Sequence, residues 1–123
     1  MAKIFLIIGS LSGLISVALG AFGAHALRSI LEANQRTDTF ELASRYQFYH
    51  SLAILAVGLL ALHTPSRWLT YSGYGFLIGT IIFSGSLYVL ALTNMKWLGA
   101  ITPIGGVALI IGWFCLLWAA WKM

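Results

Sequence analysis

Charge is what this sequence has least of. Asp, Glu, Lys and Arg make up 8% of its 123 residues, against about 25% in soluble domains. Seven basic and three acidic side chains cannot cover the surface of a globule in water. An ordinary soluble domain is therefore excluded. Cysteine is nearly absent as well. Cys115 stands alone in an apolar run, so no intramolecular disulfide forms and the compartment's redox state is not legible. It reads as a small buried hydrophobe. Acidic residues are the scarcest charge. Glu32, Asp38 and Glu41 all precede the second long apolar stretch, which leaves no paired carboxylates for acid–base chemistry inside an apolar segment. HExxH, GxSxG and P-loop patterns are missing too. The expectation is a protein that is not an enzyme, with no metal and no cofactor.

Apolar residues make up 60% of the chain. The charges punctuate them into four runs: Ile4 to Leu27, Tyr46 to Ser66, Trp68 to Met95 and Trp97 to Trp121. A helix needs roughly 20 apolar residues to cross a hydrocarbon core of about 30 Å. Backbone polar groups in lipid must be satisfied within the segment, so each run reads as an α-helix. The predicted fold is all-α: one membrane domain over residues 1–123, an antiparallel up-down four-helix bundle. Its spans lie near residues 4–27, 42–63, 68–93 and 102–121, with a short amphipathic segment between the first two. Asp38 and Glu41 have the spacing of a capping box. Pro65 ends the second span. Thr102-Pro103 reads as an N-cap followed by proline in the first turn. The first span, behind Lys3, also resembles a secretory signal, but its apolar run is longer than a usual signal core.

The formal charge of +4 is spread over single residues without interleaved aromatics, which argues against nucleic acid. These residues suit anchors at helix ends beside lipid headgroups, and membrane lipids are the expected partners. Lys3, Arg67 and Lys122 fall at one membrane face and Arg28, Arg36, Arg45 and Lys96 at the other. Three against four sets no strong orientation, and the reading leans towards a cytoplasmic Arg28–Arg45 connection.

Small residues stripe the spans. Gly9, Gly13, Ser16, Gly20 and Ala24 lie three or four apart in the first. Gly75 and Gly79 mark the third, and Gly105 and Gly106 the fourth. Such stripes let backbones approach closely in lipid. Packing within the chain is the first reading, and a homo-oligomer or larger membrane complex stays open.

Alternating spans collect the polar residues toward one end. His25, Tyr46, Gln47, His50, Ser84, Ser86 and Tyr88 form the candidate cluster, with Glu41 and Arg45 as an ion pair at its rim. An ionisable residue inside a membrane is a functional candidate by default. The plainer reading has His50 bonding Tyr88, Ser84 or a backbone carbonyl to hold helix register. His25, nearer the interface, reads as a polar cap. Haem ligation by the two histidines has no supporting motif.

The strings Gly20-Ala21-Phe22-Gly23-Ala24-His25-Ala26-Leu27, Tyr46-Gln47-Phe48-Tyr49-His50, Phe83-Ser84-Gly85-Ser86-Leu87-Tyr88 and Thr102-Pro103-Ile104-Gly105-Gly106, with Gly112-Trp113, resemble domain-of-unknown-function family 423. The resemblance covers nearly the whole chain. It implies a small multi-pass protein of the bacterial inner membrane and supplies no catalytic residues. Two functional classes follow. One is a membrane-integrity factor or accessory subunit of a larger assembly. The other is a small transporter or lipid/quinone-binding protein with a polar site around His50.

Overall fold

A computed structural model describes all 123 residues, apart from the side chain of Ala24. Ala24's place in the small-residue stripe therefore lies outside the described residues. Helix α1 spans Ala2–Ala18 and runs on through a π-helical turn, Leu19–Gly23. Two short helices follow: α2, Ala24–Ala26, and α3, Arg28–Ala33. The long helices α4, Thr37–His63, and α5, Arg67–Thr93, come next. A 3-10 turn, Lys96–Ala100, leads into α6, Thr102–Trp121. Four helical segments are long and apolar enough to cross a bilayer, and the chain is a membrane-type helical bundle.

The helix ends show why the segments stop. Gln35 takes a left-handed φ of 56° just before α4, and Asn94 one of 55° just after α5. Asparagine tolerates this conformation better than bulkier residues. Ser66 caps α5 by accepting the Trp68 N–H at 3.1 Å. Two sequence expectations need correction. The Asp38–Glu41 capping box does not form: Arg36 precedes α4 and no side chain caps it. Asp38 instead lies in the first turn, where its charge complements the helix dipole. Thr102 is the first residue of α6 and Ile101 precedes it. Residues 37–41 add more than a turn to α4 before its apolar run begins. At about 1.5 Å per residue, α4 and α5 are each roughly 40 Å long, longer than the hydrocarbon they cross.

Antiparallel α4 and α5 form the centre. Helix α1 packs on α4, and α6 packs on α5, while α1 and α6 share no packed interface. The four long helices thus form an open row with side grooves.

The α5–α6 contact is one of backbone proximity. A Cβ at Gly79 would lie 2.7 Å from the Leu109 side chain and 2.8 Å from its backbone nitrogen. One at Gly105 would run into the Phe83 backbone, and one at Gly75 would sit 3.0 Å from Gly112. Gly9 does the same for α1, with Leu55 at 2.8 Å. Gly13, Gly20 and Gly106 differ. A Cβ there meets its nearest neighbour at 3.8, 3.6 and 3.9 Å, which is ordinary contact. These three stripe positions do not require glycine for packing inside the chain.

The two membrane faces also differ. Asn34 donates from Nδ2 to the Ala91 and Leu92 carbonyls at the end of α5, and Arg36 Nε donates to Asn94 Oδ1 at 3.2 Å. These bonds tie the α3–α4 connection to α5. At the other face, Arg67 lies 5.7 Å from the Trp68 ring and Lys122 5.3 Å from the Trp118 ring. The two indoles meet edge-on, 6.3 Å apart. Aromatic rings and cations at that depth anchor a protein at the headgroup layer.

Candidate functional site

Helix α4 carries two pairs of polar residues at i, i+4 spacing: Tyr46 with His50, and Gln47 with Ser51. With 3.6 residues per turn, the two pairs point about 100° apart. The structure accordingly divides the candidate cluster between two faces.

One face looks toward α6. His50 is buried and its two ring nitrogens are both engaged. Nδ1 lies 2.8 Å from the Tyr46 carbonyl, and Nε2 accepts the Trp113 Nε1–H at 3.0 Å. A carbonyl only accepts, so Nδ1 carries the proton and Nε2 the lone pair. That is neutral imidazole in one defined tautomer. His50 also packs against Phe76 and Trp113, with centroids 5.7 and 5.9 Å away, and Tyr46 stacks on Phe83 at 4.9 Å. These rings border a groove of about 340 Å³ between α4 and α6. His50 thus bonds neither Tyr88 nor Ser84.

The other face looks toward α1 and α5. Tyr88 donates its hydroxyl to Gln47 Oε1 at 2.6 Å. Gln47 Nε2 donates to the Ser12 carbonyl at 3.2 Å and to Ser12 Oγ at 3.3 Å. Ser51 lies 2.8 Å from Ser12 Oγ and 2.7 Å from the Gln47 carbonyl. A hydroxyl has one proton. Ser51 therefore donates to the carbonyl and Ser12 donates to Ser51. The relay closes with every donor placed, and it joins three helices. Beside it lies a cleft of about 460 Å³ whose walls are mainly aliphatic residues of α1 and α5, floored by Gln47 and Ile54.

The remaining serines serve packing. Ser84 donates to the Ala43 carbonyl at 2.8 Å, tying α5 to α4. Ser86 lies 2.6 Å from Thr102 Oγ1, tying α5 to α6. Ser72 donates to the Gly112 carbonyl at 2.7 Å.

Other expectations are corrected here. His25 is exposed on α2 and makes no hydrogen bond among the described residues, so it does not join the cluster. It is not brought opposite a free His50 nitrogen either, and among the described residues no three His, Cys, Asp or Glu side chains converge as metal ligands. The Glu41–Arg45 rim pair does not form. The ion pair that does is Arg28–Glu32 at 2.8 Å, on the exposed side of α3, where the carboxylate holds the guanidinium further above its usual pKa. The cluster also lies deeper than an end of the bundle. His50 sits at the midpoint of α4, about 20 Å from either end. Sequence reasoning missed Ser12, Ser51 and Trp113 as partners. The available signal was Trp113 itself, because an indole N–H in mid-membrane requires an acceptor.

The family model described as "Protein of unknown function (DUF423)" matches residues 19–106. A UPF0382 membrane protein of Staphylococcus saprophyticus is 44% identical over 98% of this chain and 99% of its own length. One from Staphylococcus epidermidis is 46% identical over 98% of this chain and 97% of its own. The UPF0382 membrane protein YwdK of Bacillus subtilis is 40% identical over 98% of each. No solved structure matches. Four apolar helices, the matched motifs and end-to-end similarity to these relatives place the chain in the DUF423, or UPF0382, family of membrane proteins.

Proposed function

We propose that this protein is a non-enzymatic component of the bacterial inner membrane, an accessory subunit that stabilises a larger membrane assembly. One observation carries the reading. Nearly all the polar side chains deep in the helices are spent on cohesion: His50, Gln47, Tyr88 and the serines at 12, 51, 72, 84 and 86 bond another helix or their own backbone, with Thr80 the exception among the described residues. A catalytic acid or nucleophile gives up a proton as it meets the substrate, and the protons of these groups are already committed to bonds within the chain. Small size and an open helix row, with apolar flanks for further helices, support the same reading.

The test is capture of a tagged chain from its native membrane in mild detergent. The expected result is a membrane partner, or further copies of the chain, at fixed stoichiometry through native electrophoresis. A deletion strain should be sensitive to membrane stress. A chain that always runs as a lone monomer, with an unaffected deletion strain, would overturn the proposal. A small transporter or lipid/quinone-binding protein working around His50 has less support, because both ring nitrogens are already paired.

A further inference from the structure

The cleft between α1 and α5 is bounded on all sides but one. Phe5 of α1, fully buried, packs on Gly73 and lies 5.3 Å from the Tyr74 ring. This closes the cleft towards the chain termini. At the opposite end Tyr88 meets Phe40 edge-on at 5.3 Å, with Leu19 packed beside them. Helix α4 is the floor. The open side lies between Leu11 and Ile81, which are 56% and 63% exposed, and so faces hydrocarbon.

Two features of the wall are unexplained by packing within the chain. Thr80 lines the cleft and is only 7% exposed, yet its hydroxyl is the one buried side-chain polar atom among the described residues with no partner. Even the Phe76 carbonyl one turn back, the usual outlet for a helical threonine, is not taken. Gly85 also lines the cleft, and a Cβ there would meet nothing within 4 Å. The neighbouring polar groups of the Gln47–Ser12–Ser51–Tyr88 relay and the Ser84–Ala43 bond do not come within hydrogen-bond distance of the Thr80 hydroxyl.

We propose that this cleft binds a membrane-dissolved lipid of the quinone type, with its tail along the aliphatic wall and a ring carbonyl accepting the Thr80 hydroxyl once that buried side chain turns about χ1 toward the cleft. Depth selects the class. Thr80 is at the midpoint of α5, about 20 Å from either end. Phospholipid oxygens stay at the edges of the roughly 30 Å hydrocarbon core, whereas an uncharged carbonyl ring on an apolar tail enters it. The site offers one donor, no charge and a cleft of about 460 Å³, within the usual range of about 300–1,000 Å³ for small-molecule sites. This binding is independent of the accessory-subunit reading, and either stands if the other fails.

The experiment measures binding of a benzoquinone with a ten-carbon tail to the full chain in lipid nanodiscs. The controls are a phospholipid with the same chain length and native mass spectrometry for bound copies. Thr80→Val should weaken binding about three- to tenfold, the effect of one hydrogen bond, and Thr80→Ser should restore it. Gly85→Leu should plug the cleft and reduce binding more than tenfold with an unchanged melting temperature, since that position is open. Gly106→Leu, in the opposite groove beside His50, should leave affinity unchanged. The proposal is overturned by quinone binding no tighter than the phospholipid, or by loss with Gly106→Leu in place of Gly85→Leu. It is equally overturned if Gly85→Leu changes only the oligomeric state, which would make the cleft an interface between copies.

Discussion

The two sides of the α4–α5 hairpin hold their outer helices by different means. On the α6 side the helices approach until backbones touch, through Gly75, Gly79, Gly105 and Gly112. The polar contacts there are short bonds such as Ser72 to the Gly112 carbonyl. On the α1 side Gly9 meets the Leu55 side chain and backbone, whereas Gly73 is crowded by the Phe5 ring and not by backbone. Gly13 and Gly20 have room, and a side-chain relay through Gln47 bridges the distance. Close approach concentrates dispersion and leaves little void. A relay of side chains spans a wider gap and leaves a cleft beside it. In lipid, where apolar surface gains nothing by leaving the solvent, packing and hydrogen bonds carry helix association. Here hydrogen bonds join both outer helices to the hairpin, at Ser12 for α1 and at Thr102, Gly112 and Trp113 for α6, while the closest backbone packing is concentrated toward α6.

Substitutions can break or sharpen that contrast. The largest effect is expected at Gly79→Leu, which drives a side chain into Leu109 and its backbone and should destabilise by about 3 kcal/mol or more. Gly13→Ala, on the looser side, should stay within about 0.5 kcal/mol. Thermal unfolding in detergent compares them, and equal losses would erase the distinction. Next comes His50→Leu, which leaves the Trp113 N–H unpaired in the membrane interior at a cost of about 1–3 kcal/mol. Trp113→Phe added to His50→Leu should recover part of that loss, because both partners are then gone. A double-mutant cycle that shows no coupling would remove the His50–Trp113 bond from the account.

Gln47→Leu should be milder, about 1–2 kcal/mol, because interhelical hydrogen bonds in membranes average less than 1 kcal/mol each and Gln47 makes more than one. Its signature should be faster protease or hydrogen-exchange access at α1 than at α6. Loosening at α6 instead would contradict the division into two faces. The smallest effect belongs to Glu41→Gln and Arg45→Gln. Both side chains are exposed and they are not paired with each other, so each change should lie within about 0.5 kcal/mol in the same melting assay.

Much of the fold was legible in the sequence. Runs free of charge located the four spans, and Pro65 and Pro103 marked their edges. Helix starts were less legible, because Asp38 and Glu41 satisfied a pattern whose geometry the chain did not adopt. The polar residues were grouped too near one end of the bundle, with His25 among them, and their directions were not resolved. Tyr46 and His50 point one way around α4 and Gln47 and Ser51 another, and which neighbour each meets depends on how α1 and α6 are placed. The stripe glycines were similarly ambiguous. Gly9 and Gly13 look alike in sequence, and only the crossing point of α1 with α4 makes one crowded and the other free.

What the sequence alone determined is the number of spans, their alternation and their helical form. Those follow from a segment-by-segment requirement: apolar stretches of this length must satisfy their own backbone in lipid. What only the tertiary structure decided is pairing. Trp113 reaches His50 across 63 residues of sequence, Tyr88 reaches Gln47 across 41, and Thr80 finds no partner at all. A hydrogen bond between helices depends on their rotation and offset to within about 1 Å. Local composition does not encode that offset. It emerges when the glycine contacts of α5 and α6 and the relay on α1 are satisfied together.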